Sequence, residues 1–166
     1  MGAVVPAAGA TLDELAAALN LMPLHGAQPR ALALERLADG KTVALSGLQG
    51  RPVFVYFWAT WCPHCSRELP STIEQIHREF GPRGLVVLAV NMEQSRETVS
   101  AWVRDRRLTM DVLLDVSGSV NAAWGVAYSP EIFVIGRDGR LIARAIGTRG
   151  WTEPEGRAFL EALMAR

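Results

Sequence analysis

The sequence predicts an α/β fold, with a mixed central β-sheet, helices on both faces of the sheet and an N-terminal β-hairpin. Three observations support this fold class. Residues 85–90 form a short apolar run bounded by turns, as expected of a central strand that is covered on both faces. The apolar run at 53–58 is followed by a helical pattern, so strands and helices alternate through the middle of the chain. Asp-Gly pairs at 39–40 and 138–139 separate apolar segments, and each pair predicts a hairpin turn.

The first quarter of the chain is predicted to hold a short helix and the first hairpin. Thr11 and Glu14 have the spacing of a capping box, which indicates a helix that starts here and ends near Pro23. Residues 26–29 are predicted to be a linker because they are rich in turn-forming residues. The two strands of the hairpin follow at 31–37 and 42–45.

Two longer helices are predicted in the middle of the chain. Apolar residues recur at intervals of four and three over residues 66–80, which is typical of one buried helix face. These residues are Leu69, Ile73, Ile76 and Phe80. Pro70 lies inside this helix and is expected to kink it. Ser95 is expected to cap the next helix, which reaches about Arg106.

The last third of the chain completes the sheet. A third core strand is predicted at 112–114, a short helix at 120–124, and the second hairpin across 132–146. Thr152 and Glu155 have the spacing of another capping box, which predicts a final helix. In order, the elements are a hairpin, a βαβαβ unit and a ββα unit, and this order is why we expect a mixed sheet.

Length, charge and hydropathy are those of one ordinary globular domain. The chain has 166 residues and a formal net charge of zero, so neither nucleic acid nor an anionic membrane surface is expected as a partner. Residues 1–6 lack the charged leader and apolar core of a signal peptide, and no run of about 18 apolar residues occurs. We expect a soluble monomer with no cofactor and no metal site. Its predicted parts are an N-terminal extension at 1–27 and one domain at 28–166.

The only two cysteines, Cys62 and Cys65, are separated by two residues and lie between an apolar strand and a helix. This context favours a pair that cycles between disulfide and dithiol. Pro63 suits the first turn of the helix, where free N–H groups and the helix dipole favour a thiolate. Cys62 is therefore the expected attacking residue and Cys65 the resolving residue. The alternative is a buried structural disulfide, although so small a loop gives little entropic stabilisation.

Two residues near the cysteines are candidates for controlling their chemistry. His64, as an imidazolium, would stabilise the Cys62 thiolate; alternatively it is a solvated side chain without effect. Glu68 lies one helical turn beyond Cys65 and would carry protons to and from that thiol. From the spacing alone, an exposed Glu68 paired with a nearby arginine is equally compatible with the sequence.

Two further sites are candidates for contact with the cysteine pair. Trp61 adjoins Cys62 directly, whereas the other tryptophans are expected in the core. Ser129-Pro130 precedes a predicted strand, and a proline at a strand start is usually an ordinary position without a ladder partner. The sharper interpretation is a cis peptide bond, because cis-prolines occur in tight functional turns.

Together, these motifs resemble the thioredoxin superfamily, in particular its TlpA/ResA-like branch of bacterial membrane-associated thiol–disulfide oxidoreductases, related to AhpC/TSA. The resemblance covers residues 28–166, and its most specific parts are Phe-Trp-Ala-Thr-Trp-Cys at 57–62 and Glu-Leu-Pro at 68–70. It implies a thioredoxin-like fold, with a cis-proline at Pro130 packed against the disulfide and Ser129 offering its backbone to an extended substrate.

The resemblance also bears on proton transfer and on two departures from the family pattern. Tyr56 occupies the strand position where ordinary thioredoxins carry a buried aspartate, which implies that Glu68 handles protons. Glu131 follows the proline where this branch usually has threonine, and a charge beside the substrate groove is expected to alter partner choice. Pro63-His64 resembles the dipeptide of the periplasmic oxidase DsbA rather than those of reductive relatives.

The predicted function is a thiol–disulfide oxidoreductase acting on cysteine pairs of exported proteins. Resemblance to the branch implies a reductase with a membrane or soluble redox partner, in the periplasm or elsewhere outside the cytoplasm, any membrane anchor lying in a segment absent from this chain. The Pro-His dipeptide leaves a DsbA-like oxidase open. A third alternative is a copper- or other metal-binding module of the same fold, using Cys62, Cys65 and His64 or His77. A peroxiredoxin-like peroxidase is disfavoured because the surroundings of a peroxidatic cysteine are missing.

Overall fold

The central feature of the protein is one mixed eight-stranded sheet, seen in a computed structural model that describes residues 9–166. Its strands are β1 (Met22–Ala27), β2 (Ala33–Arg36), β3 (Thr42–Ala44), β4 (Val53–Trp58), β5 (Val86–Met92), β6 (Asp111–Asp115), β7 (Glu131–Ile135) and β8 (Leu141–Ile146). Their order across the sheet is β1-β8-β7-β4-β5-β6-β2-β3. Strands β4, β5 and β6 are parallel to one another, and the other pairings are antiparallel, which confirms the predicted mixed sheet.

The helices are α1 (Leu12–Ala18), α2 (Pro63–Glu68), α3 (Glu74–Phe80), α4 (Arg96–Arg106), α5 (Ser119–Ala123) and α6 (Pro154–Met164). Successive residues of central strand β4 point to opposite faces, so the strand divides the core into two layers. Tyr56 and Trp58 face a layer that includes the cysteines and the buried sides of α1, α3 and α6. Val55 and Phe57 face the other layer, which includes Trp124. The cysteine pair therefore belongs to the face that carries most of the helices.

The N-terminal prediction is right about the start of the helix and wrong about its end near Pro23 and about the segment after it. Thr11 and Glu14 form the predicted capping box, with the Glu14 N–H donating to the Thr11 Oγ1 at 3.2 Å. The helix ends at Ala18, and the first half of the predicted linker, Gly26 and Ala27, belongs to β1, which pairs antiparallel with β8. Pro23 is tolerated there because β1 is an edge strand. The sheet thus includes residues 22–27, which belong to the predicted N-terminal extension.

Two predictions about helix boundaries have different outcomes. The disruption expected at Pro70 takes the form of a π-helical turn, Leu69–Ile73, which separates α2 from α3. The capping box expected at Thr152 and Glu155 is wrong. The N-cap of α6 is Glu153, which makes no side-chain capping bond. Pro154 occupies the first helical position, so the helix begins one residue later than a capping box at Thr152 and Glu155 requires.

Candidate active site

The two cysteines lie at the start of α2, just beyond the end of β4. Cys62 is the N-cap of the helix, Pro63 is its first residue, and Cys62 and Cys65 are joined by a disulfide with their Cα atoms 5.2 Å apart. The Cys62 sulfur accepts a hydrogen bond from the Cys65 N–H at 3.2 Å. A sulfur in this position is stabilised as a thiolate, because free N–H groups and the positive end of the helix dipole surround it.

A second segment brings Ser129 against both sulfurs. The Ser129–Pro130 peptide is cis, as the resemblance implied. The Ser129 carbonyl oxygen lies 3.4 Å from the Cys62 Sγ, and the Ser129 hydroxyl lies 3.2 Å from the Cys65 Sγ. One residue, distant in the chain, therefore contacts both sulfurs of the pair.

A side-chain amide fixes the turn that carries Trp61 and Cys62, a contact that the sequence did not reveal. The Thr60 N–H donates to the Gln94 Oε1 at 2.9 Å, and the Gln94 Nε2 donates to the Thr60 hydroxyl at 2.7 Å. The buried Asn91 donates to the same Gln94 oxygen at 2.9 Å. Asn91 is near the end of β5 and Gln94 lies two residues beyond it. Because β5 is parallel to β4, these bonds connect the active-site turn to the neighbouring strand.

An exposed aromatic groove lies beside the disulfide. Trp61 is 70% exposed and Tyr128 is 65% exposed, and both line a cavity of about 160 Å³ together with Val126 and Ser129. Large exposed aromatic side chains around a cleft are typical of a contact surface for another molecule. A larger cavity of about 270 Å³ lies at the opposite end of the sheet, beside Val53 and Ile135, and contains neither cysteine.

Glu68 is buried behind the cysteine pair, so the alternative of an exposed helical glutamate is wrong. Its side chain is 7% exposed, and its Oε1 has no hydrogen-bond partner. Burial raises the pKa of Glu68 to about 7, against smaller opposing contributions from the Tyr56 hydroxyl and from the backbone N–H and guanidinium of Arg149. Burial and the neighbouring Glu68 raise the pKa of Tyr56 as well. A carboxyl with a pKa near neutrality is suited to accept and return protons.

Arg149 connects this carboxyl to the N-terminal helix. Its guanidinium donates to the carbonyls of Leu19 and Asn20, at 2.7 and 3.2 Å, at the end of α1. It also donates to the carbonyls of Ile146 and Thr148, both at 2.9 Å. The helix outside the family resemblance thus holds in place a positive charge that acts on Glu68.

The contacts of His64 and His77 are with residues other than the two cysteines. His64 is exposed, and its Nδ1 lies 3.1 Å from a guanidinium nitrogen of Arg67, one turn further along the helix. His77 is on α3, where its ring lies next to Gly81. Within residues 9–166, no group of three or more His, Cys, Asp or Glu side chains is arranged to hold a metal ion.

The expectation that Glu131 is a charge beside the substrate groove is wrong. Glu131 is fully buried on the opposite face of the sheet from the disulfide, and it forms an ion pair with Arg144 of β8 at 2.9 Å. Along β7 the side chains alternate, so Glu131 shares a face with Phe133 while Ile132 faces the cysteine layer.

The geometry can be compared with known proteins. Residues 26–144 match the AhpC/TSA family. The chain belongs to this family. It is 31% identical to the thiol–disulfide oxidoreductase ResA of Halalkalibacterium halodurans over 125 residues, which are 75% of this chain and 69% of that protein. It is 33% identical to ResA of Bacillus subtilis over 110 residues, which are 66% of this chain and 61% of that protein.

Solved structures show the same fold. A putative thiol:disulfide interchange protein DsbE from Chlorobium tepidum superposes with a TM-score of 0.75 at 24% identity, covering 84% of this chain and 96% of that protein. The pneumococcal exposed lipoprotein thioredoxin from Streptococcus pneumoniae superposes with a TM-score of 0.68 at 31% identity, covering 82% of this chain and 100% of that protein. The thioredoxin-like fold is confirmed. Together with the Cys62–Cys65 pair, the ResA relatives show that the protein is a thiol–disulfide oxidoreductase.

Proposed function

We propose that the protein reduces disulfides of other proteins outside the cytoplasm, with Cys62 as the attacking thiol, Cys65 as the resolving thiol and Glu68 as the proton acceptor. The observation that carries this proposal is the arrangement on one helix. Cys62 caps its start, and Glu68 is buried one turn beyond Cys65 with an oxygen that has no partner. Such an arrangement supplies both the nucleophile and the base that disulfide reduction needs.

The reaction begins with the protein in its dithiol form. The Cys62 thiolate attacks one sulfur of a substrate disulfide, so that a mixed disulfide forms and one substrate thiolate leaves. Cys65 then transfers its proton to the Glu68 carboxylate and attacks the Cys62 sulfur. The Cys62–Cys65 disulfide forms, the second substrate thiolate leaves, and two electrons have passed to the substrate. A redox partner that donates two electrons returns the pair to the dithiol.

The substrate is proposed to be an extended protein segment that carries a cysteine pair. Trp61 and Tyr128 would contact apolar side chains beside the reacting cysteine, and the Ser129–Pro130 segment would align the backbone against Cys62. Aromatic anchors of this kind favour protein substrates over small disulfides, because small disulfides cannot reach both side chains.

A location outside the cytoplasm is supported by the relatives. One similar structure is described as an exposed lipoprotein thioredoxin. Within residues 9–166, no helix is long and apolar enough to cross a membrane.

The reduction potential of the Cys62–Cys65 pair tests the direction of electron flow. We would equilibrate the protein with glutathione buffers and follow the fluorescence of Trp61, which adjoins the pair. A reductase is expected near −270 mV or below, by analogy with thioredoxin. A value of about −120 to −180 mV would contradict the proposal and favour the DsbA-like oxidase that the Pro63-His64 dipeptide suggests.

A trapping experiment tests the roles of the two cysteines. Cys65→Ser cannot resolve a mixed disulfide, so incubation of the reduced variant with insulin should give a covalent adduct through Cys62, visible by mass spectrometry. The matched control is Cys62→Ser, which keeps Cys65 and should give little adduct because Cys65 lies inside α2 at 0% exposure and lacks the helix-capping position of Cys62. Equal adduct formation by the two variants would show that the assignment of the attacking residue is wrong.

A further inference from the structure

A buried ion pair lies directly behind the cis-proline. Glu131, the residue after Pro130, is 0% exposed, and one of its oxygens lies 2.9 Å from a guanidinium nitrogen of Arg144. The Arg144 guanidinium also lies over the Phe133 ring, 5.2 Å from its centroid. This pair is on the side of the sheet away from the disulfide, so neither residue takes part in the exchange reaction directly.

Both members of the pair reach the loop that precedes the cis-proline. The Ala127 N–H donates to the Glu131 Oε1 at 3.4 Å, and Arg144 donates to the Gly125 carbonyl at 3.1 Å. The loop is anchored at its start by the Val126 N–H, which donates to the Asn121 carbonyl at 2.9 Å. The ion pair therefore adds one bond on each side of that anchor, at Gly125 and at Ala127.

The same loop carries Ser129 to the sulfurs. The Ser129 carbonyl lies 3.4 Å from Cys62, and the Ser129 hydroxyl lies 3.2 Å from Cys65. Tyr128, an exposed wall of the groove, is the residue before it. Any shift of residues 125–128 would move the groove wall and the backbone that faces the attacking sulfur.

We propose that Glu131 and Arg144 are positioning residues, which hold the 125–130 loop in the conformation that aligns a protein substrate with Cys62. A buried ion pair is often no more stabilising than apolar residues of similar volume, whereas removal of one partner is strongly destabilising. Net stability is thus a poor reason for a charged pair here. A charged pair can form directional hydrogen bonds with the loop backbone, whereas an apolar pair cannot. This inference rests on the proposed roles of Cys62 and of the groove.

The test separates loop positioning from simple stability. In a Cys65→Ser background, the rate of mixed-disulfide formation at Cys62 would be measured with insulin, which needs the groove, and with bis(2-hydroxyethyl) disulfide, which does not. Two variants remove bonds to the loop. Glu131→Thr, which places there the residue usual in this branch, removes the acceptor of the Ala127 N–H. The double variant Glu131→Leu with Arg144→Met removes both loop bonds and both charges at similar volume. Glu74→Gln serves as a destabilised control, because Glu74 contacts neither the loop nor the cysteines.

We expect both variants to lower the insulin rate at least fivefold relative to the small-disulfide rate, and we expect the control to leave this ratio within twofold of the parent. Hydrogen exchange at the Ala127 amide should accelerate in both variants, since its acceptor is lost. The double variant is decisive because it is expected to fold with near-parental stability. If it folds and keeps the parental ratio of rates, the inference is wrong. If the parent reacts with neither disulfide, the proposed function fails instead.

Discussion

Two buried carboxyls on one interrupted helix have opposite environments. Glu68 ends α2 and Glu74 begins α3, with the π-helical turn at Pro70 between them. They are similarly buried, at 7% and 5% exposure, yet burial has a different consequence for each. Desolvation raises the pKa of both carboxyls, and the hydrogen bonds donated to Glu74 are what reverse its effect there.

Glu74 is fully partnered. It accepts from the Thr109 N–H at 2.7 Å, from the Met110 N–H at 3.2 Å and from the Arg78 guanidinium at 2.7 Å, in addition to the Thr109 hydroxyl. Burial alone would raise the pKa of Glu74, but the bonds from Thr109, Arg78 and Met110 outweigh it and lower the pKa. Glu74 thereby attaches α3 to the segment that enters β6, a structural role.

Glu68 has only weak partners beside the cysteine pair: the Tyr56 hydroxyl and Arg149 lower its pKa, but by less than burial raises it. Its pKa, raised from 4.5 to about 7, corresponds to about 3 kcal/mol of unfavourable free energy for the buried carboxylate. A site that must exchange protons near neutral pH gains from this poor solvation, whereas a structural carboxyl does not. The same substitution at the two positions should therefore have effects of opposite sign.

The largest effect is expected for Glu74→Gln. The amide nitrogen cannot accept the two bonds that the Arg78 guanidinium and the Thr109 hydroxyl donate to the carboxylate Oε2, so the free energy of unfolding at pH 7 should fall by about 4 kcal/mol. Because the folded pKa of Glu74 is lowered, the stabilisation is present above the unfolded pKa of 4.5 and is lost as pH falls through the folded value. Urea denaturation at pH 7 and pH 3 checks this, and an unchanged midpoint at pH 7 would contradict it.

Glu68→Gln should stabilise the oxidised protein at high pH. The folded pKa exceeds the unfolded one, so between pH 4.5 and about 7 the folded state binds more protons, and the parent loses stability as pH rises through this window. The variant does not ionise there. Its advantage should therefore grow by about 3 kcal/mol between pH 4.5 and pH 8.5. Urea denaturation at both values measures this growth, and a difference that is independent of pH would show that Glu68 does not titrate near 7.

Thr109→Val should weaken the structural carboxyl without removing it. The variant loses the hydroxyl that donates to the Glu74 Oε2 but keeps the Thr109 backbone N–H bond. A loss of about 2 kcal/mol is expected, as for one hydrogen bond to a charged group. The pKa of Glu74 should rise, which an NMR titration of its side-chain carbon would detect. An unchanged titration would mean that the other donors suffice.

Local sequence patterns predicted the chemistry and most of the elements, because capping residues, Asp-Gly turns and the CxxC spacing act within a few residues. Strand β1 was missed because it depends on β8: its His25 and Gly26 have positive φ, of 51° and 73°, and its register with β8 is irregular. No local periodicity predicts such a strand.

The positions of buried polar side chains were harder to predict. Alternation along a strand puts Glu131 and Ile132 on opposite faces, but both faces of β7 pack against apolar layers, so the sequence does not show which face meets the cysteines. No local pattern marks Glu74, because its donors on the Thr109 segment are 35 residues away in the chain. The Gln94–Thr60 contact likewise joins the ends of two different strands. Such contacts depend on strand order, which local pattern does not contain.

The smallest effect is expected for Tyr56→Phe, which tests how strongly the Tyr56 hydroxyl interacts with the Glu68 carboxyl. The Tyr56 hydroxyl is buried and makes no hydrogen bond, so removing it should change the free energy of unfolding by less than about 1 kcal/mol. The hydroxyl nevertheless lowers the pKa of Glu68. Its loss should raise that pKa further, and an NMR titration of the Glu68 side-chain carbon in the oxidised protein would measure the change.

The comparison of Tyr56→Phe with Thr109→Val contrasts the same change, removal of one hydroxyl, beside two different carboxyls. If Tyr56→Phe costs as much stability as Thr109→Val, the Tyr56 hydroxyl is a true hydrogen-bond donor to Glu68, and the two carboxyls differ less than their contacts indicate. If the stability holds and only the pKa of Glu68 rises, the hydroxyl acts on the charge of Glu68 alone. Glu68 is then set apart from Glu74 by the absence of donors, which is the property that suits it to move protons at Cys65.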